Sequence, residues 1–172
     1  MGRQDLGRRN RPVTPLYTAD ERRRRDASPW TLVQGVLAPV QFAIFLVSLA
    51  LVLRTLATGE GAGAALASVV VKTMALYAIM ITGSIWEKAV FGRYLFAPAF
   101  YWEDVVSMLV LALHTAYLVA LWSGGLGERA LLFLALAAYA TYVVNAGQFV
   151  LKLRAARLQG TAAVLHPVGA LS

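Results

Sequence analysis

Two ionisable side chains, Lys72 and His114, interrupt long apolar stretches of this sequence. Ionisable groups are costly inside a membrane, where they usually face the protein interior. The imidazole of His114 has three interpretations: a buried hydrogen-bonded residue, a neutral axial ligand to a metal, or a general acid or base. The only other histidine is His166, near the C-terminal end, so two histidines holding one haem are disfavoured. Lys72 either extends toward lipid headgroups or offers a positive charge to an anionic substrate group.

Three carboxylates flank an aromatic segment between residues 87 and 104. Glu87 begins this segment, and Glu103 and Asp104 end it. Trp86 precedes it, and its aromatic residues are Phe91, Tyr94, Phe96, Phe100, Tyr101 and Trp102. Such density is typical of an aromatic belt at a membrane interface. The alternative is an interfacial lid that holds a flat apolar ligand entering from the membrane. The carboxylates at both ends favour the lid, because a belt does not need them.

Other polar residues recur at helical spacing. Separations of 4, 7 and 3 positions place one set on a single helical face: Glu103, Ser107, His114 and Tyr117. A second set lies in the last apolar stretch: Thr141, Tyr142, Asn145 and Gln148. Gln34 and Gln41 lie in the first. Amides and hydroxyls of this kind can simply hold helices together. Combined with the acid–base groups, they predict a polar pocket that opens toward the cytoplasm.

Four stretches almost free of charge must position these side chains: Thr31–Leu53, Gly61–Trp86, Val105–Gly127 and Ala130–Leu151. A helix needs about 20 mostly apolar residues to cross a bilayer. The apolar pattern is continuous rather than alternating, which indicates helices. We therefore predict an all-α integral membrane four-helix bundle over residues 28–157, with spans at about 30–53, 64–86, 104–122 and 128–154. Residues 1–27 are predicted to form a basic cytoplasmic tail and residues 158–172 a flexible tail.

Composition and charge support this class. The 172 residues are 59% hydrophobic, which is too apolar for an ordinary soluble domain. The absence of cysteine excludes disulfides, thiolate metal sites and cysteine nucleophiles. Of the 16 Lys and Arg residues, all but Lys72, Arg54 and Arg129 lie on one side of the predicted bundle, so the positive-inside rule places both termini in the cytoplasm. The arginine-rich tail lacks the aromatic interleaving of a nucleic-acid site. We interpret it as a topology signal beside anionic lipid, and expect no nucleic-acid partner.

Four segments resemble the 3-vinyl bacteriochlorophyllide hydratases of phototrophic bacteria: residues 28–41 (SPWTLVQGVLAPVQ), 83–88 (GSIWEK), 96–104 (FAPAFYWED) and 145–148 (NAGQ). The resemblance extends roughly from Tyr17 to Leu158. It implies a multi-pass enzyme of bacteriochlorophyll synthesis in the bacterial inner membrane or the intracytoplasmic photosynthetic membrane. It also implies a hydro-lyase activity, in which water adds across the C3 vinyl group of a chlorin or bacteriochlorin to give a 3-(1-hydroxyethyl) product.

Hydration with this outcome requires a proton donor and a group that orients water. A proton goes to the terminal vinyl carbon, the cation forms at the carbon beside the ring, and water attacks there. Neither a redox cofactor nor a protein nucleophile is needed. Glu87 and Glu103 suit the donor, because burial beside a tryptophan disfavours the charged form of a carboxyl. Asp104, at a helix start, is expected to stay ionised and to orient water or balance the cation.

The remaining polar residues are candidates for binding the macrocycle. His114 could ligate the central Mg, Lys72 could pair with the free propionate, and Asn145 and Gln148 could bond peripheral carbonyls. Trp86 and Trp102 are the candidate aromatic contacts. Neither a metal ion of the protein's own nor a cofactor is expected.

The main alternative is a non-enzymatic pigment-binding or photosystem-assembly membrane protein, which would need His114 and the aromatic segment but not the carboxylates. A small four-helix drug exporter is disfavoured, because such transporters rely on a carboxylate in the first helix. The expected partners are a Mg-tetrapyrrole substrate and membrane lipid. The sequence leaves open whether a second copy of the chain or other pigment-synthesis enzymes also bind.

Overall fold

Four long apolar helices follow one short charged helix. The computed structural model describes residues 16–165, with side chains described up to residue 158. The helices are α1 (Ala19–Ala27), α2 (Pro29–Thr58), α3 (Ala62–Phe91), α4 (Tyr101–Ser123) and α5 (Glu128–Leu165). No strand occurs within the described range. Each of α2 to α5 is long and apolar enough to cross a membrane, so the predicted all-α class with four helices of membrane-spanning length is confirmed for the described residues. The exact limits of the four spans stay a prediction. The cytoplasmic location of the termini stays a prediction.

The bundle consists of two helical hairpins, each closed by glycine at one end. Gly59 and Gly61 adopt positive φ angles of 75° and 79° between α2 and α3, and Gly124 adopts 65° after α4. Only glycine adopts this conformation without strain, which explains why the chain reverses there. We call this the glycine-turn end. The opposite, loop end carries residues 92–100, which join α3 to α4.

Apolar side chains from α2 to α5 fill the centre of the bundle. Phe45, Val52, Val69, Val110 and Leu132 belong to one buried cluster. The Ser48 hydroxyl adds a polar link across this core, with contacts of 2.6 Å to the Ser68 hydroxyl and 2.5 Å to the Tyr139 hydroxyl. In lipid, packing and interhelical hydrogen bonds of this kind hold helices together.

Helix α1 lies where the sequence predicts a basic tail. Thr18 and Glu21 form a capping box, in which each side chain accepts from the other residue's backbone N–H. Arg24 Nε donates to the Val90 carbonyl at 2.8 Å, so α1 is fastened to the end of α3. Tyr17 is buried against Phe91, and this burial raises the pKa of its phenol, which therefore stays neutral. The tail prediction for residues 1–15, with Arg3, Arg8, Arg9 and Arg11, lies outside the described residues.

Three helix boundaries differ from the predicted spans, and the first two of them matter for the site. Helix α3 continues to Phe91 and α4 begins at Tyr101, so the connection is only residues 92–100. Glu87 therefore lies on α3 rather than after its end, and Glu103 and Asp104 lie in the first turn of α4, which begins three residues earlier than predicted. Helix α5 continues to Leu165, beyond the predicted end at 154 and into the predicted flexible tail. The rest of that tail, with His166, lies outside the described residues.

Candidate active site

Glu87 and Asp104 form a pair of buried carboxyl groups at the loop end. Glu87 lies in the last turns of α3 and Asp104 in the first turn of α4. Their side chains are within hydrogen-bonding reach of each other. Glu87 is 5% exposed and Asp104 is 4% exposed. We call these two residues the carboxyl pair.

Two consecutive backbone amides of the connection hold the carboxyl pair. The Phe96 N–H donates to Asp104 Oδ2 at 2.7 Å, and the Ala97 N–H donates to Glu87 Oε2 at 3.3 Å. Phe96 has a φ of 57°, the one positive φ outside glycine in the described chain. This conformation costs roughly 1–2 kcal/mol for a residue with a Cβ, and left-handed residues are what make concave anion-binding nests of successive N–H groups. The strained backbone at Phe96 therefore allows two successive amides to fix both carboxyl groups.

Glu103 faces a different neighbour. Its Oε2 accepts a hydrogen bond from Lys152 Nζ of α5 at 2.5 Å, and both side chains are mostly buried. Lys152 Nζ also lies 5.0 Å from the centre of the Phe100 ring. Glu103 is thus an ion-paired carboxylate, and it lies at the same loop end as the carboxyl pair. Among the described residues, no three His, Asp or Glu side chains are arranged to hold a metal ion.

The predicted aromatic segment separates into two groups. A buried cluster surrounds Phe100, whose ring centre lies 5.7 Å from Trp86 and 5.8 Å from Phe91. Trp86 Nε1 also donates to the Thr31 hydroxyl at 3.0 Å, so Trp86 ties α3 to α2. The second group is exposed and consists of Tyr94, Phe96, Tyr101 and Trp102. We call this second group the aromatic platform; it lies outside the carboxyl pair, and Trp102 is 68% exposed.

The polar face predicted for α4 is buried as a whole, with Glu103, Ser107, His114 and Tyr117 all in the interior. Ser107 accepts from Asn145 Nδ2 at 2.8 Å, and the Tyr117 hydroxyl donates to the Leu66 carbonyl at 3.2 Å. His114 Nδ1 lies 2.8 Å from the Val110 carbonyl, which can only accept, so Nδ1 carries the proton and a neutral ring leaves Nε2 as an acceptor.

Lys72 and His114 are enclosed by the bundle, and neither is exposed (0% for both). Lys72 Nζ lies 3.7 Å from the centre of the Tyr142 ring, and the His114 ring centre is 5.9 Å from that of Tyr139. A macrocycle could reach either residue only if the helices separated. Their assignment to pigment binding, like that of Asn145 and Gln148, stays a prediction.

Two cavities lie away from the carboxyl pair. One of about 110 Å³ at the glycine-turn end is lined by residues that include Thr55, Glu128 and Arg129. The other, about 350 Å³, is an apolar groove between α2 and α3 that includes Val47 and Ser68. The carboxyl pair itself is covered by residues 96 and 97, so it is a closed site.

Comparison with known proteins gives the family. The sequence model of the family described as 2-vinyl bacteriochlorophyllide hydratase matches residues 17–155. The chain belongs to this family. A protein of Rhodobacter capsulatus named 2-vinyl bacteriochlorophyllide hydratase is 64% identical over 154 residues, covering 87% of this chain and 90% of the relative. A Cereibacter sphaeroides protein of the same name is 63% identical over 152 residues, covering 88% and 94%. No solved structure matches.

These matches confirm the resemblance on which the sequence analysis relied. The name of the family numbers the vinyl group 2 where the sequence analysis numbers it 3, and the two numbers belong to two conventions for the same position on the macrocycle. The matched range contains every described candidate residue, from Lys72 on α3 to Lys152 on α5.

Two features of this family member were missed by the sequence analysis. Lys152, the partner of Glu103, was counted only as a charge. It continues the three- and four-residue spacing of Asn145 and Gln148, and this spacing was the available signal. The amides of Phe96 and Ala97 left no signal, because nothing in the residue types reveals a positive φ at a phenylalanine.

Proposed function

We propose that this chain is a hydratase that adds water across the vinyl group of chlorophyllide or bacteriochlorophyllide to give the 1-hydroxyethyl product. Two relatives with more than 60% identity over nearly their whole length carry the hydratase name. The single structural observation that carries the mechanism is the carboxyl pair held by consecutive amides at the loop end.

In the proposed mechanism, Glu87 gives its proton to the terminal vinyl carbon. Two buried carboxyl groups in contact cannot both ionise easily, so the pair holds one proton. Asp104 keeps the charge, because it lies at the N-terminus of α4, where the helix dipole favours an anion, and accepts the shorter amide hydrogen bond. Glu87 lies near the C-terminus of α3, where the dipole disfavours an anion. The proton therefore resides on Glu87.

Proton transfer leaves a cation on the carbon beside the ring, delocalised over the macrocycle. Asp104 then accepts a proton from the water that attacks this carbon, so that the pair regains one proton and the product carries the hydroxyl group. Glu103, paired with Lys152, lies at the same end of the bundle and adds to the acidic surroundings of the developing cation. These steps balance without any redox change.

The aromatic platform is the proposed surface for the macrocycle. The exposed rings of Trp102 and Tyr101 lie 5.4 Å apart by their centres and flank the first turn of α4, next to Asp104. A flat apolar ligand dissolved in the membrane can stack on such rings. The vinyl group reaches the closed pair when residues 92–100 move, and Gly92, with a φ of 82°, begins that segment.

The proposed location is the bacterial inner membrane or the intracytoplasmic photosynthetic membrane, with both termini in the cytoplasm. The basic residues near the loop end support this orientation. The carboxyl pair would then lie at the cytoplasmic end of the bundle.

A direct assay tests the proposal. The full chain is placed in lipid nanodiscs and given vinyl chlorophyllide, and the pigment is analysed by mass spectrometry. A product heavier by one water is expected from the native chain. Pigment that binds but never changes would contradict the proposal and favour a pigment-binding or assembly protein.

A further inference from the structure

Five buried polar atoms inside the bundle have no hydrogen-bond partner among the described residues. They are the donors Gln41 Nε2 and Lys72 Nζ and the acceptors His114 Nε2, Asn145 Oδ1 and Gln148 Oε1. More than nine in ten buried polar groups in proteins do have a partner. In a membrane the cost of leaving one unpaired is several kcal/mol, because lipid offers no alternative. Five such atoms in one bundle indicate a ligand that can both donate and accept.

Lys72 and His114 meet at the same place in the bundle. Lys72 Nζ lies over Tyr142, and His114 packs beside Tyr139, one helical turn away on α5. Phe45 of α2 contacts both tyrosines, with ring centres 4.9 and 5.3 Å apart. An amine that needs an acceptor and an imidazole nitrogen that needs a donor therefore both lie beside the turn of α5 that carries Tyr139 and Tyr142.

The other unpaired atoms lie between this point and the loop end that carries the carboxyl pair. Along α5, Tyr142, Asn145 and Gln148 follow one another at intervals of three residues, and Lys152 comes four residues later. This stretch covers about 15 Å at the helical rise per residue. Gln41 lies one turn nearer the loop end than Phe45. The row ends where Lys152 binds Glu103, next to Asp104.

We propose that this row of polar atoms binds a file of water molecules that extends from Lys72 and His114 to the carboxyl pair and supplies the water that the reaction consumes. Water is the small ligand that both donates and accepts, and buried waters typically bind polar groups that have no other partner. The role assigned to this water rests on the proposed hydratase activity, whereas the presence of the water does not.

The physical need for such a route follows from the closed site. A macrocycle stacked on the aromatic platform would cover the loop end, while lipid surrounds the sides of the bundle. Water for the addition step must then come from inside the protein. Asn145 lies in the middle of the row, between Tyr142 and Gln148 on α5, and is fixed by its bond to Ser107.

Radiolytic footprinting of the native chain in nanodiscs tests the presence of the water without requiring activity. X-ray pulses convert bound water into hydroxyl radicals, which oxidise the nearest side chains. Tyr142 and Tyr117 are a matched pair, 6% and 0% exposed, and only Tyr142 lies on the row. We expect Tyr142 to be oxidised several times faster than Tyr117, with the added oxygen coming from labelled water. Equal and negligible oxidation of both would overturn the proposal.

A substitution in the middle of the row tests the role of the water. Asn145→Leu is expected to lower kcat while leaving the KM for pigment unchanged, since the supply of water and not of pigment is interrupted. The matched control is Thr141→Val, one turn away on the same helix. If Asn145→Leu does not fold, Gln148→Leu replaces it. A wild-type kcat in a folded Asn145→Leu or Gln148→Leu protein would overturn the proposed role of the row in supplying water. If Tyr142 is oxidised but the native chain does not hydrate the pigment, the proposed function is rejected and the water site is retained.

Discussion

Glu87→Gln is the most informative single change, because it removes a proton while preserving shape. The glutamine carbonyl can still accept the Ala97 N–H, and its amide can still donate to Asp104 in place of the shared proton. The hydrogen-bond count is therefore unchanged, and the free energy of unfolding should change by less than about 1 kcal/mol. The one property lost is the ability to donate a proton to carbon.

The expected effect on turnover follows from that loss. General acid catalysis by a positioned side chain contributes roughly 10²–10⁴-fold, which corresponds to about 3–5 kcal/mol in the activation free energy. We expect kcat to fall by this factor while pigment binding, which depends on the aromatic platform, stays the same. The assay measures product formation from vinyl chlorophyllide in nanodiscs, together with the thermal unfolding midpoint of each variant.

Glu60→Gln is the matched control. It makes the same chemical change at an exposed carboxylate between Gly59 and Gly61, at the opposite end of the bundle from the carboxyl pair. This variant should retain wild-type turnover. A Glu87→Gln protein that keeps native stability and also keeps turnover within about twofold, where the donor role requires a loss of at least 10²-fold, would refute the assignment of the donor.

Three further changes probe the neighbours of the carboxyl pair. Lys152→Met leaves Glu103 without its partner and should lower the free energy of unfolding by about 2 kcal/mol. The loss is smaller than for a fully buried pair, because Lys152 is partly exposed. The Glu103→Gln/Lys152→Met double variant should recover most of this stability in thermal unfolding. Trp102→Ala should raise the KM for pigment with little change in kcat, measured by steady-state kinetics. Selective ¹⁵N-histidine NMR should show His114 Nε2 as an unprotonated nitrogen whose shift does not change when pigment is added.

Each of these expectations has a contrary result. A double variant no more stable than Lys152→Met would mean that the lysine acts through Phe100 rather than Glu103. An unchanged KM in Trp102→Ala would remove Trp102 from the pigment surface. A metal-bound shift of His114 on adding pigment would restore its predicted role as an axial ligand and exclude it from the water site.

Apolar runs were sufficient to predict the four spans, because a backbone in lipid must form helices and lipid requires continuous apolar sequence. The face that carries Glu103, Ser107 and His114 was likewise predictable, since spacing fixes direction on a helix. Both signals are local. They do not depend on how the helices pack.

The helix ends and the partners across the bundle were harder to predict. Glu87 was predicted to follow the end of its helix, because charge and aromatic density mask a helix that continues past the apolar run. Four consecutive arginines concealed α1, although Thr18 and Glu21 carried its capping signal. The bond from Lys152 to Glu103 joins residues 49 positions apart, and no local pattern specifies such a contact.

The measurement that tests the central claim most directly uses solvent labelled with both deuterium and ¹⁸O. The native chain hydrates vinyl chlorophyllide in this solvent, and the product is analysed by mass spectrometry and NMR. The account predicts one ¹⁸O on the carbon beside the ring and one deuterium in the new methyl group. Product oxygen that does not come from solvent, or deuterium placed on the carbon beside the ring, would contradict proton donation to the terminal carbon followed by attack of water.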